Sequence, residues 1–297
     1  MGTKDGDAFI DKQLESIADQ THKNWILIAS DDGSLDDTIL KLERFAETQF
    51  QKTIIRTGPH KGVCANFLSL ANDPTIDADY FAFSDQDDVW HRDKLRHALN
   101  WLVTVPVDTP AMYCGRTELM TSDERSCGLS PLFTRSTAFE NALVQSIGGG
   151  NTVVFNRAAK RILEQADETD VVLHDWWLYQ LVSGVGGAVH YDPRPMVKYR
   201  QHPDNLIGSN LGWRNRLIRF RMMLSGRFRD WNEKNIAALQ KVSALLQPKN
   251  RQVLMLFINA RRAALPKCLY FLRKSGVYRQ TLLGNFGLFV ATILKRI

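Results

Sequence analysis

No two of the four cysteines, Cys64, Cys114, Cys127 and Cys268, stand at CxxC spacing. A zinc ribbon or a disulfide framework is therefore not expected, and reduced thiols in a cytoplasmic protein are. Apolar runs are short: the longest, "TLLGNFGLFVATIL" from Thr281 to Leu294, has two glycines and falls below the roughly 18 residues of a membrane-spanning helix. Neither GxxxxGK[ST] nor GxGxxG occurs, so the two glycine loops that most often cradle phosphates are excluded. Acidic residues almost vanish toward the C-terminus. Leu211 to Ile297 has 18 Lys and Arg against Asp230 and Glu233 alone, leaving 20 basic and 30 acidic residues in 1–210. A body of −10 and a tail of +16 imply two regions with different partners.

Across the body, helical and strand patterns alternate. "AFIDKQLESIADQ" places Phe9, Ile10, Leu14 and Ile17 on one helix side, and "WILIAS" (Trp25 to Ser30) reads as a buried strand. "SLDDTILKLERFAETQ" opens with Ser34 and Asp37 at capping-box spacing. "TIIRTG", "GVCANFLSLAND" and "YFAFSD" continue as strand, helix and strand. This order predicts right-handed crossovers and an α/β fold whose mostly parallel sheet is flanked by helices. Ligands of such sheets gather at the carboxyl ends of the strands. Both acidic clusters, "DDGS" (Asp31 to Ser34) and "DQDD" (Asp85 to Asp88), fall at strand ends.

Three carboxylates within four positions, Asp85, Asp87 and Asp88, repel one another and require a positive partner. Hard oxygen donors at that density suit Mg2+ or Mn2+, ions that complete their shell with substrate phosphates. The implied ligand is a nucleotide or diphosphate. Sugar transfer, nucleotidyl transfer and two-metal nuclease chemistry all fit these residues. Gly148 to Gly150, in "SIGGGNTVVFN", would let backbone approach a sugar closely.

"QTHKNWILIASDDGSLDDT", "FSDQDDVWHRDKL", "HDWWLYQL" and "YRQHPDNLIG", in that order, closely resemble family 2 glycosyltransferases, particularly bacterial rhamnosyltransferase-like members that build surface polysaccharides. The resemblance runs from about Met1 to Gly208 and implies the GT-A fold of nucleotide-diphospho-sugar transferases. It places Asp31 and Asp32 at the base and ribose of the donor. Asp85, Asp87 and Asp88 fall on the DxD-type motif, with Asp87 as metal ligand. Lys61 and Asn66 fall on the donor-side loop and helix start, and Asp175 falls on the base that deprotonates the acceptor. Trp176 and Trp177 are expected to offer aromatic faces to sugar rings, with core placement of one of them the other reading, and Gly149, Gly150 and Asn151 to line the acceptor side. His202 resembles the late histidine that reaches metal or diphosphate, with Arg200 placed to neutralise the diphosphate. The implied activity is inverting and metal-dependent, using Mg2+ or Mn2+, a dTDP- or UDP-sugar, possible rhamnose transfer and a glycan or polyprenyl-linked acceptor. The other readings are a metal-dependent nucleotidyltransferase or nuclease, and a non-catalytic sugar-binding module of the same fold.

The two ends add further expectations. "MGTKDG" resembles only the end of the strand that opens such sheets, so Met1 is expected to be internal, with roughly ten residues of a first strand missing. Residues 1–210 are expected to form the glycosyltransferase domain and 211–297 a basic helical region. In that tail, "GWRNRLIRFRMMLSGRF", "WNEKNIAALQKVSALLQ" and "RQVLMLFINARRAAL" interleave basic with apolar residues, which suits peripheral contact with the anionic inner face of a plasma membrane; the other reading is a helical cap over the sheet with its arginines in solvent. Nucleic acid is not expected, because the catalytic body is itself acidic.

Overall fold

The computed structural model describes residues 1–167, 170–202 and 226–297. The tail segment "GWRNRLIRFRMMLSGRF" lies almost wholly outside the described residues, as does the boundary expected at 210. The N-terminal part runs β1 (Gly2–Thr3), α1 (Ile10–Ala18), β2 (Leu27–Asp31), α2 (Thr38–Thr48), β3 (Thr53–Thr57), α3 (Val63–Ala71) and β4 (Tyr80–Ala82). Next come β5 (Val89–Trp90), α4 (Lys94–Leu102), β6 (Ala111–Gly115), β7 (Glu118–Thr121), β8 (Ser126–Leu129) and α5 (Phe139–Ala142). β9 (Val154–Asn156), α6 (Arg157–Ala166), α7 (His174–Gly184), β10 (Ala188–Asp192) and β11 (Val197–Gln201) complete the body. Among the described residues four helices follow: α8 (Arg227–Lys241), α9 (Pro248–Arg262), α10 (Leu265–Ser275) and α11 (Leu282–Ile293).

β1, β2 and β3 pair in parallel, with Gly2 opposite Ser30 and Leu27 opposite Thr53. β1 forms within "MGTKDG", and its Gly2 N–H donates to Ser84 O at 3.3 Å and joins these strands to the next group. That group has the order β10-β6-β9-β4, with β9 antiparallel to both neighbours. A third sheet has the order β5-β11-β7-β8. The expected parallel strands are thus joined by an antiparallel insertion, β9. The α1 stripe of Ile10, Leu14 and Ile17 packs on Leu27 and Ala29 of β2, as its spacing requires. Helix α2 begins at Thr38, not Ser34. Ser34 is drawn back instead, its hydroxyl donating to Asp31 Oδ1 at 2.5 Å.

α7 is buried on every side. One apolar cluster joins its Trp176, Trp177, Leu178 and Leu181 to Phe155 of β9, Leu239 of α8 and Phe257 of α9. The described tail helices therefore share the core of the sheet that carries the acidic clusters.

Candidate active site

The carboxyl ends of β2, β3 and β4 converge, as the strand order demands. Asp31 ends β2 and its carboxylate is fully engaged: Oδ1 accepts from Thr3 Oγ1 at 2.9 Å and Ser34 Oγ, and Oδ2 from the Gly33 and Ser34 N–H groups. Burial works against its charge, but these donors outweigh it and hold the group below the usual carboxylate range. Asp32 accepts from His60 N–H at 2.6 Å and Gly62 N–H at 2.7 Å. It thereby pins the loop carrying the exposed Lys61. Gly62, at φ +86°, lets that loop turn into α3. Asn66 exchanges two hydrogen bonds with Ser30, at 2.6 and 2.8 Å, which lock α3 onto β2.

The four residues after Ser84 divide into two kinds. Asp85 and Asp87 are partly exposed at the cleft, and Asp88 is fully buried. Burial, and then the charges of Asp87 and Asp175, push Asp85 up to about 7. Gln86 is paired reciprocally with the Lys4 backbone at 2.8 Å both ways, tying this segment to the end of β1. Asp88 accepts from Asn151 Nδ2 at 2.5 Å and from Arg200 N–H at 3.1 Å. Burial, and then Asp87 and Asp85, raise it well above the usual carboxylate range. A basic group of the chain lies within electrostatic range of the cluster. Lys94 is buried, its ammonium 3.4 Å from the centre of the Trp90 ring. Burial presses it down to about 7 against the pull of Asp88 and then Asp85.

Asp175 stands in the first turn of α7. Its Oδ1 accepts from Trp176 N–H at 2.6 Å, and the Gly150 N–H adds a further bond. Burial outweighs these donors and raises it to about 6, in the range that suits a general base at neutral pH. Beside it His174 stacks on Phe67 at 4.1 Å and meets Phe83 edge-on at 4.7 Å. Burial pushes its imidazole down to about 3, so it stays neutral. Gly150 is needed here: a Cβ would lie 2.5 Å from His174 Nε2.

His202 and Asp87 meet across the cleft, Nε2 to Oδ2 at 2.7 Å. A carboxylate oxygen and an imidazole nitrogen converge there, and both donor types accept Mn2+. Among the described residues no group of three or more His, Cys, Asp or Glu side chains could hold an ion alone. The pair fits a cation that takes its other ligands from substrate and water.

Residues 3–163 match the family described as Glycosyl transferase family 2. The chain belongs to this family. It is 28% identical over 259 residues to the dTDP-rhamnosyl transferase RfbG of Shigella flexneri, covering 82% of this chain and 84% of that protein. The fold is similar to that of the mannosyltransferase PcManGT from Pyrobaculum calidifontis in complex with GDP-Man and Mn2+. The TM-score is 0.51 and the identity 16%, over 99% of this chain and 85% of that one. S. aureus TarS 1-349 in complex with UDP-GlcNAc is also similar, with TM-score 0.50 and 12% identity over 93% and 91% of the two chains. The GT-A architecture follows from these matches, and the chain is a glycosyltransferase.

Within this family 2 glycosyltransferase, several residues have other tasks than those expected. Trp176 and Trp177 are only 3% and 1% exposed and offer no face to a sugar. Trp176 Nε1 donates to Ala142 O at 2.6 Å. Both are core because the helix that bears Asp175 is surrounded. Trp177→Ala is expected to cost about 3–5 kcal/mol of stability in urea unfolding. Arg200 was expected on the diphosphate, but its guanidinium donates to Asp87 O and Ser122 O, both at 2.8 Å, and pairs with Glu124 at 3.3 Å. It braces the Asp87 segment from below. Asn151 likewise serves Asp88 instead of an acceptor, and both amide groups of Asn66 are spent on Ser30. Asp88 is a buried brace, not a ligand contact. Of the three acceptor-loop residues Gly149 alone is exposed. Lys94 and His174 were missed. The first sits in "VWHRDKL" with no local sign of burial, and the second was overshadowed by its neighbour Asp175.

Proposed function

We propose that the chain is an inverting, cation-dependent glycosyltransferase that moves rhamnose from a dTDP donor to a glycan or polyprenyl-linked acceptor in surface polysaccharide synthesis. The observation that carries this reading is geometric: Asn151 bonds Asp88 at 2.5 Å while the adjoining Gly150 lies against His174, the neighbour of Asp175, so one loop borders both the DxD segment and the base. The RfbG likeness supports the choice of dTDP-rhamnose.

The chain's own residues divide the work. Asp31 and Asp32 shape the loops expected to border the nucleoside, and Lys61 extends from the second of these. Asp87 and His202 would hold Mg2+ or Mn2+, which when bound neutralises charge developing on the departing diphosphate. The Asp175 carboxylate takes the acceptor hydroxyl proton as that oxygen bonds to the anomeric carbon and the bond to the diphosphate oxygen breaks on the opposite face. Gly149 leaves room for the acceptor beside it.

A thermal-shift screen of sugar nucleotides with Mn2+ tests the donor. At 100-fold the Kd, a true donor adds about 2.7 kcal/mol of stability. The expected order is dTDP-rhamnose above UDP-sugars, with the shift lost when the cation is chelated. Equal shifts with and without cation, or cleavage of DNA or RNA by the same preparation, would overturn the reading.

A further inference from the structure

Helix α11 presents its apolar residues outward. Leu282, Phe286, Phe289 and Ile293 recur at spacings of four, three and four, which confines them to a stripe about 60° wide. They are 90%, 61%, 49% and 42% exposed. Leu288, Ala291 and Thr292 on the other side are buried, so the helix is seated on the body and the stripe is what remains. Both ends are held. Thr281 Oγ1 accepts from Gly284 N–H at 3.0 Å, and Lys295 Nζ donates to Ala263 O at the α9–α10 junction. An ordered stripe of large apolar side chains facing water marks a surface that is covered in use.

Charge identifies the cover. After Glu233 the sequence has 12 Lys and Arg and no acid. Lys267, Arg273 and Lys274 of α10 and Lys295 and Arg296 after α11 are exposed, and so is Tyr270. A second copy placed on this face would bring one strongly basic rim, relieved by Glu140 beside Gly276, against another, at a cost in repulsion. A nucleic acid would satisfy the rim and leave the stripe in water. We propose that α11 lies in the plane of an anionic phospholipid surface, its stripe among the acyl chains and the basic residues around it at the headgroups. Among the described residues no helix is long and apolar enough to cross a membrane, so the contact is one of docking.

The docked helix is wired to the acceptor side. In the turn that leads into α11, Tyr278 O accepts from Asn141 Nδ2 at 2.9 Å, Gln280 N–H donates to Gln145 Oε1 at 2.8 Å, and Arg279 Nη1 donates to Val144 O at 2.9 Å. Residues 141–145 run directly into the Gly148–Gly150 loop beside Asp175. Docking would therefore set that loop at a fixed height above the lipid surface. This orientation rests on the acceptor reading given above, whereas the docking does not.

Co-sedimentation of the full chain with vesicles tests it. Vesicles of phosphatidylcholine containing about 30% phosphatidylglycerol are expected to bind the protein at least about tenfold more strongly than phosphatidylcholine alone, with the difference falling as salt is raised. The triple variant Leu282→Ser/Phe286→Ser/Phe289→Ser is expected to lose at least about tenfold in partition. Its melting temperature and its Mn2+-dependent donor hydrolysis without vesicles should match the parent. Equal partition of parent and variant, no binding of the parent to anionic vesicles, or a parent dimer that the variant converts to monomer without vesicle binding would each overturn the proposal. Vesicle binding without donor hydrolysis would support the docking and count against the transferase reading instead.

Discussion

Asp175→Asn is expected to lower sugar transfer by about 10²–10⁴-fold, the usual contribution of a positioned base, while donor affinity changes less than about twofold. The substitution keeps the shape of the side chain and an oxygen for the Trp176 N–H, but removes the ability to take a proton. Stability separates this outcome from a folding defect. The folded carboxyl is raised to about 6 by burial, above its unfolded value. Between those two values the folded state keeps a proton that the unfolded state has lost, so this group's contribution to stability declines as pH rises through the window. At pH 7.5 the charged form is the unfavourable one, and Asp175→Asn should unfold at equal or higher urea concentration. In the parent, kcat/KM should rise with pH through about 6 as Asp175 ionises, and the small residual rate of the variant should lack that limb. Equal losses of transfer and donor binding would contradict the assignment.

Asp87→Ala is expected to remove most cation-dependent donor binding and to lower transfer by about 10²–10³-fold, matching several kcal/mol of charge stabilisation. Titration of the donor with and without Mn2+ measures it: the parent should show cation-dependent affinity, and the variant the same weak affinity in both. Asp88→Ala is the discriminating control. Asp87 lies at the cleft with its side chain 17% exposed, so its loss leaves the fold intact. Removal of the Asp88 carboxyl leaves the buried Asn151 amide and Arg200 N–H without their acceptor. About 1–3 kcal/mol of stability should go with it. A destabilised Asp87→Ala, or an Asp88→Ala that folds normally and loses only cation dependence, would reverse the two roles.

Much of this was legible in the chain. Apolar runs ending in acids located β2 and β4 and placed Asp31 and Asp85 at their carboxyl ends, because a buried strand must be apolar and a ligand edge need not be. The pairing of Asp87 with His202 followed from family likeness, and the structure brings them to 2.7 Å. Burial was harder to read. The run "HDWWLYQLV" has no polar side, which is how a helix enclosed on all faces reads. Its tryptophans were nevertheless expected at the sugar. Ser34 was expected to cap α2, since capping signals are local, yet its hydroxyl went to Asp31.

The sequence by itself determined the inventory: carboxylates at strand ends, a base before an apolar helix, and a tail without acids. Tertiary structure decided which of those carboxylates face the cleft. Asp87 and Asp88 are adjacent in the chain, so no local rule separates them. Asp88 is satisfied by Asn151 and Arg200, 63 and 112 residues away. A buried carboxylate is tolerated only where such donors arrive, and their arrival depends on how distant strands are laid side by side.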